Sequence, residues 1–328
     1  MRVVKNFTEL LEEAKKCPPK KVAVAVAEDP EVLEAVRECK QAGITDAVLV
    51  GDAAKIHEIA LERNININNF EVIHEADTES AVRRAVLLVH TGKADIVMKG
   101  AVQSPELLKA VLDKNIGLRT GRTLSHVAVF EAPGYDRLMI MTDAGMNIIP
   151  TFQQKVDMVK NAVCVARSLK IEMPKVAVIS GIELVNPDMP STVDAALLSK
   201  MNERGQIKNC IIDGPLALDL ALSKESARAK GVTSPVAGQA DILVLANIDA
   251  ANVLYKGLVF LGRAKITGIV VGAKAPVILT SRADTHEAKL VSVAISVLMT
   301  SKEPAAAEEV ETDSKEKGAA QAASLKAI

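Results

Sequence analysis

The sequence predicts an α/β fold, with a mostly parallel sheet covered by helices on both faces. Short apolar runs alternate along the chain with longer runs whose apolar residues recur at helical spacing, a βαβα order that calls for crossover connections. The chain has 328 residues, 49% of them hydrophobic and 25% charged, enough for two domains or one large α/β unit with an ample core. No internal repeat and no Ser/Gly linker interrupts the alternation.

Residues 22–27, 47–50, 70–73 and 95–98 read as strands, and residues 31–41, 54–63, 80–92 and 105–114 as the helices that follow them. Residues 125–130 and 137–141 are two strand-like runs joined by Pro133-Gly134, a turn signal. They are expected as an antiparallel pair, which makes the sheet mixed. Residues 154–169 predict a helix, 175–180 a strand, and 191–204 a helix capped by Ser191 and Thr192. Strands at 210–213, 242–246 and 269–271 follow, with helical stretches at 217–221 and 252–261. Residues 277–279 form a short buried strand after Pro276. Leu290, Val291, Val293, Ala294, Val297 and Leu298 then mark one face of a last helix, with Asp284 or Thr285 as its N-cap. Residues 302–328 are mostly Ala, Glu, Lys and Ser with almost no large apolar side chain, and are expected to be a disordered tail or a loose solvent-facing helix.

Composition excludes several classes. Net charge is −1, so no bulk field draws the chain to nucleic acid or an anionic membrane. With no Trp, 2 Tyr and 5 Phe there is little on which to stack bases. No apolar run is long enough to span a bilayer. Residues 1–17 mix Lys and Glu with apolar residues at helical spacing, unlike a signal peptide. The four cysteines make no C-x-x-C and read as reduced thiols, so a cytoplasmic protein is expected. There is no G-x-G, no Walker-type loop and no G-x-S-x-G, and the five histidines make neither H-x-H nor H-E-x-x-H. Nicotinamide, P-loop and zinc chemistry are therefore not expected, and the metal expectation is none.

What remains is loop chemistry at strand ends. Thr280-Ser281-Arg282-Ala283 is a turn from a strand end to a helix start, where free N–H groups and the helix dipole favour an anion. Arg282 adds a planar fork of donors suited to phosphate, and Ser281 a hydroxyl. Lys99, the Thr142–Asn147 stretch with Asp143 and Asn147, Asp213-Gly214-Pro215, and the 233–241 loop with Ser234 are further polar strand ends. The run after residue 246 crowds Asp249, Asn252 and Lys256 onto a helix start. Gathered on one sheet edge, these groups would hold an anionic small molecule.

Ser-Pro-Val-Ala-Gly-Gln-Ala-Asp at 234–241, Asn-Ile-Asp-Ala-Ala-Asn-Val-Leu-Tyr-Lys at 247–256 and Ser281-Arg282 resemble the phosphate acetyltransferase / phosphate butyryltransferase family over residues 20–300. Lys99-Gly100, Met-Thr-Asp-Ala-Gly-Met at 141–146 and Asp-Gly-Pro-Leu-Ala-Leu-Asp at 213–219 suit the butyryl branch better. The resemblance implies acyl transfer between coenzyme A and inorganic phosphate, with coenzyme A as substrate, no metal and no other cofactor. Acyl-CoA, phosphate and acyl phosphate are the implied partners of a homo-oligomer. Two α/β/α domains with mostly parallel sheets facing a cleft are implied, residues 1–136 with 277–301, and an inserted domain at 137–276. Ser281 and Arg282 carry over as catalytic residues, while Lys99, Asp143, Asn147, Ser234, Asp249, Asn252 and Lys256, read from the polar strand ends, are expected to bind substrate. In the acetyl branch an acidic residue several positions after the Ser-Arg pair acts as the thiol base. Here that position is Ala288, and Asp284, which follows the turn directly, is named as the base. An acetyl-specific enzyme and a catalytically silent binder of coenzyme A or acyl phosphate stay open as alternatives.

Overall fold

The computed structural model of the chain describes residues 2–279 and 285–301. In order it runs α1 (Phe7–Ala14), β1 (Lys20–Ala25), α2 (Pro30–Gln41), β2 (Thr45–Gly51), α3 (Ala53–Glu62), β3 (Glu71–His74), α4 (Thr78–His90), β4 (Ile96–Lys99) and α5 (Ser104–Val111). Two strands follow without a helix between them, β5 (Ser125–Glu131) and β6 (Met139–Thr142). Then come α6 (Phe152–Ser168), β7 (Lys175–Ile179), α7 (Pro190–Glu203), β8 (Ile211–Leu216), α8 (Leu218–Leu222) and α9 (Lys224–Ala229). The last elements are β9 (Ile242–Val244), α10 (Ile248–Phe260), β10 (Lys265–Val271), β11 (Val277–Ile278) and α11 (His286–Ser301).

Local chemistry starts these helices. Asp29, Asp52, Asp77 and Asn247 each accept a hydrogen bond from a backbone N–H of the first turn they precede, satisfying a donor the helix cannot. Thr151 and Gln154 form a reciprocal capping box at α6. At α11 the Thr285 hydroxyl accepts from the Ala288 N–H at 3.3 Å, so of the two residues expected there Thr285 supplies a cap bond. Helix α7 departs from expectation. It begins at Pro190, preorganised for a first helical position, and Ser191 and Thr192 lie inside it. The Thr192 hydroxyl donates back to Met189 O and Asn186 O instead.

The strands form one 11-stranded sheet in the order β3-β2-β1-β4-β11-β10-β5-β6-β9-β7-β8. β5 and β6 pair antiparallel, as their turn signal predicts. β10 is antiparallel to both its neighbours, β11 and β5. Hence β1 to β5 and β11 run one way, and β6 to β10 the other. The expectation of polar strand ends on a single edge is therefore corrected. Lys99 closes β4 at one edge, while Asp143 and Asn247 follow β6 and β9 at the opposite edge. Asp213-Gly214-Pro215 is no strand end either, because β8 continues through Leu216.

Side-chain alternation gives the sheet two unlike faces. Val22, Val24, Met98, Val127, Val129, Ile140, Val176, Ile242 and Ile269 belong to a single core that runs the width of the sheet under α2, α6 and α11. Their neighbours one residue on face the other way and fall into two separate clusters. One takes Ala23, Ala25, Val97 and Val270 with α4 and α5. The other takes Ala128, Met141, Ala177 and Leu243 with α8 and α10.

The ends of β1 and β4 approach closely: the Gly100 N–H donates to Ala25 O at 2.9 Å and the Ala101 N–H to Val26 O at 2.7 Å. A Cβ on Gly100 would lie 2.0 Å from Val26 O, a backbone atom that cannot swing aside. Gly100→Ala should therefore destabilise the fold by about 1–3 kcal/mol through overpacking. Thermal unfolding measures it; an unchanged melt would show that the two strand ends can part without cost.

Candidate active site

The gap between the two clusters holds a cavity of ≈ 580 Å³. Its floor is His126 of β5, Ile266 and Val270 of β10, and Leu279 just after β11. One wall is Ser104 and Leu108 of α5. The facing wall is one stripe of α10, Asn252, Tyr255, Lys256, Val259 and Phe260, at helical spacing. Ala144, Gly145 and Met146 of the loop after β6 border it, and Thr285, Glu287, Ala288 and Val291 close it where the two-residue strand β11 stops. A mainly apolar concavity with few polar groups is the usual make-up of a small-molecule site.

His126 is seated by what its neighbours lack. Gly268 and Gly145 flank its ring: a Cβ on Gly268 would lie 2.4 Å from Nε2, and one on Gly145 3.5 Å from Cγ. The Tyr255 ring stands edge-on, 6.4 Å away at 61°. At the rim, Lys265 Nζ donates to Glu287 at 2.9 Å, and that hydrogen bond raises the Lys265 ammonium above its ordinary range. Both partners are well exposed, so the pair adds little to stability.

Of the residues named from sequence, Asn252 and Lys256 line the cavity. Asn252 Nδ2 donates to Ala144 O at 3.2 Å and ties α10 to the bordering loop. Asp143, 2% exposed, stands behind that loop and shapes it. Its Oδ1 accepts from the N–H groups of Gly145 at 2.9 Å and Met146 at 3.0 Å. Its Oδ2 accepts from Asn147 Nδ2 at 2.6 Å and from the Asn147 N–H at 3.3 Å. Asn147 Nδ2 also reaches Leu124 O at 2.9 Å. Lys99, 5% exposed, donates to Gly100 O and Val102 O and does not line the cavity. Neither does Ser234, whose hydroxyl accepts from Val236 and Ala237 N–H groups in a local turn, nor Asp249, exposed in the first turn of α10. Ser281, Arg282 and Asp284 lie outside the described residues; Leu279 and Thr285, on either side of that segment in the chain, both line the cavity.

His126 and Tyr255 were not singled out from sequence as site residues, and Thr285 was named there only as a helix cap. The only trace of the first is one imidazole in an otherwise apolar strand run, Ser125-His126-Val127-Ala128-Val129-Phe130. The buried thiols Cys39 and Cys210 are pushed up to about 12 by desolvation, which leaves them protonated and unreactive at neutral pH. Among the described residues no group of three His, Cys, Asp or Glu side chains could hold a metal ion, and no helix is long and apolar enough to cross a membrane.

Comparison with known proteins gives a consistent result. Residues 6–84 and 73–297 match the family described as phosphate acetyl/butaryl transferase. A phosphate butyryltransferase of Clostridium acetobutylicum is 53% identical over 297 residues, covering 90% of this chain and 99% of its own. A phosphate acetyltransferase of Thermotoga maritima is 48% identical over 292 residues, covering 89% and 99%. The crystal structure of a branched-chain phosphotransacylase from Enterococcus faecalis superposes with a TM-score of 0.76 at 35% identity, over 87% of this chain and 100% of that one.

The Asp143 carboxylate is the acceptor for the loop that borders the cavity. Asp143→Ala strands its buried donors and should cost about 1–3 kcal/mol. Asp143→Asn should fall between, because its carboxamide keeps one acceptor oxygen but turns an NH₂ toward donors. Thermal unfolding of the two variants measures this, and equal melts for all three proteins would mean the loop holds its shape without the carboxylate.

Proposed function

The chain belongs to the phosphate acetyltransferase / phosphate butyryltransferase family and is an enzyme, and from that premise we propose that it moves a butyryl group between coenzyme A and inorganic phosphate. The reaction class is acyl transfer between acyl-CoA and phosphate. The observation that carries the finer reading is the cavity itself, whose mostly aliphatic floor suits a short acyl chain and whose lining includes Lys256 and Lys265 for anionic groups. Coenzyme A enters as a substrate, and no metal or other cofactor is given a part in the proposal.

The chemistry asks for three things. The thiol of coenzyme A, with an ordinary pKa of roughly 8.5, is only a few per cent thiolate at neutral pH and needs a proton acceptor. In the proposal that acceptor is Asp284. The thiolate attacks the acyl-phosphate carbonyl, and the tetrahedral oxyanion needs preorganised donors. Phosphate leaves as an anion, held by the Arg282 guanidinium and the Ser281 hydroxyl. The reverse sequence forms butyryl phosphate from butyryl-CoA. Asn252 and Lys256 contact substrate in this reading. Lys99, Asp143 and Asn147 build the loops beside it, and Ser234 and Asp249 support the 233–241 loop and the α10 start.

We further propose a cytoplasmic location and a homo-oligomer, the second supported by exposed Val253 on α10 and Ile148 and Ile149 before α6. The division into 1–136 with 277–301 and an inserted 137–276 belongs to the proposal as well, and the separate clusters over α4 with α5 and over α8 with α10 support it.

Phosphate-dependent release of free thiol from butyryl-CoA and acetyl-CoA tests the activity. Release with butyryl-CoA preferred is the expected outcome. A preference for acetyl-CoA would favour the acetyl-specific alternative, to which the Thermotoga maritima relative gives weight. No release at any chain length would leave a silent coenzyme A binder. Arg282→Ala should lower turnover about 10²–10³-fold with an unchanged melt, by analogy with lost oxyanion donors. Arg282→Lys should recover only part, since a point charge lacks the bidentate fork. Asp284→Asn should be slow if the carboxylate takes the thiol proton, and nearly silent otherwise.

A further inference from the structure

We propose that Gly145 sets the length of acyl chain this enzyme accepts, because the side chain it lacks would fill the apolar end of the cavity. The inference rests on the acyl-transfer reading and goes beyond it by stating which way the substrate lies and where its chain ends.

The cavity runs along the strands, and register orders its lining. His126 pairs with Val270 at one end of the β5–β10 ladder, and Glu131 pairs with Lys265 at the other. At roughly 3.4 Å per residue, Val270 and Lys265 stand about 17 Å apart. β6 ends at Thr142, opposite Val127, so the 144–146 loop borders the His126 end. Helix α10 follows the same line. Asn252 bonds Ala144 O at this end, Lys256 stands about one turn further on, and Phe260 about two. At the far end lie the Lys265–Glu287 pair and Phe7, whose N–H donates to Glu131 at 2.8 Å. The lysines and the carboxylate among the described lining residues, Lys256, Lys265 and Glu287, are thus set toward that far end. The near end is made of Ala144, Met146 and Val270 beside the His126 ring and the Asn252 amide. A substrate with phosphates at one end and hydrocarbon at the other is best served with its acyl chain toward the 144–146 loop, since a phosphate there would lose its solvation for no countercharge.

Gly145 lies where this loop crosses between the two clusters. Ala144 packs in the cluster with α8 and α10, and Met146 against the one with α4 and α5. Gly145, between them, is exposed and lines the cavity. Its backbone does not call for glycine. It lacks a positive φ, and its N–H bond to Asp143 Oδ1 is one that any residue but proline could make. Close packing does not call for it either. The nearest neighbours of an added Cβ would be His126 atoms at 3.5, 3.6 and 3.9 Å, which is ordinary contact, whereas a Cβ on Gly268 would lie 2.4 Å from the same ring. Alanine therefore fits at 145, and the space it occupies is cavity space. The Asp143 bonds to Gly145, Met146 and Asn147 hold the loop in place, so a larger side chain shortens the cavity instead of pushing its end wall back.

Steady-state kcat/KM for acetyl-, butyryl- and hexanoyl-CoA with saturating phosphate tests this in wild type, Gly145→Ala, Gly145→Val and Met146→Ala. The ratio of butyryl-CoA to acetyl-CoA should fall about 10-fold in Gly145→Ala and about 10²-fold in Gly145→Val, the range that added methyl groups command in an apolar pocket. Met146→Ala opens the same end and should raise the ratio of hexanoyl-CoA to butyryl-CoA about 10-fold. It decides the matter if the position 145 variants do not fold. Ratios are read within each protein, so the test holds whichever acyl group the wild type prefers. Unchanged ratios in every folded variant overturn the proposal. So does an equal loss at every chain length, which would place Gly145 beside the phosphate or the pantetheine arm that all the substrates share. Wild-type protein that releases no thiol from any acyl-CoA sinks the acyl-transfer reading and this inference with it; an active wild type whose variants keep its chain-length profile sinks this inference alone.

Discussion

The ladder between β5 and β10 is the interaction on which the rest of the structure depends. Seven residue pairs, Lys265 with Glu131 through Val271 with Ser125, join two groups of strands that run in opposite directions. Without β10, β11 and β5 would have no common neighbour, and the sheet would be two sheets. One buried side chain fastens the end of this ladder. Asn161 of α6 donates through Nδ2 to Thr123 O at 3.0 Å, Ser125 Oγ at 2.9 Å and Val271 O at 3.3 Å, bridging the start of β5 and the end of β10. In a low-dielectric surrounding such bonds are strong when made and costly when lost.

Because the ladder is shared, its two faces meet different demands. On one face, Val127, Val129, Ile269 and Val271 extend a core already formed by the flanking strands, so the helices there close ranks. On the other face, the helices of each half follow their own strands and stop short of each other. The central strands there carry His126, Gly268 and Ile266 where flanking strands carry the Ala and Val of a packed core. The cavity is the space that two incomplete helical layers leave over a complete sheet.

Features decided by neighbouring residues were legible in the sequence. The alternation of strands and helices, the Pro133-Gly134 turn between β5 and β6, and the Thr285 cap of α11 all depend on a few consecutive positions. The reversal at β10 was not legible, because it depends on which strands become neighbours, and residues 265–271 look like any other apolar strand. The polar strand ends show the same division. Asp143 and Asn147 stand out in sequence, but only the folded loop shows that their hydrogen-bonding capacity is spent on backbone and on each other. Asn252 and Lys256 reached the cavity because they share a helix face, a periodicity the sequence does carry. His126 was missed for the opposite reason: its setting is made by one glycine more than a hundred residues away, Gly268, and by one nearer at hand, Gly145, and a lone histidine in a strand does not reveal them.

The uninterrupted core beneath the cavity has a mechanical consequence. A hinge that opened one half against the other would bend the seven-pair ladder and tear close-packed side chains from a face with no seam in it. The floor is thus a rigid bedplate, and among the described residues the passage of a substrate as bulky as an acyl-CoA falls to adjustments of the elements around it, α5, α10, the 144–146 loop and the start of α11.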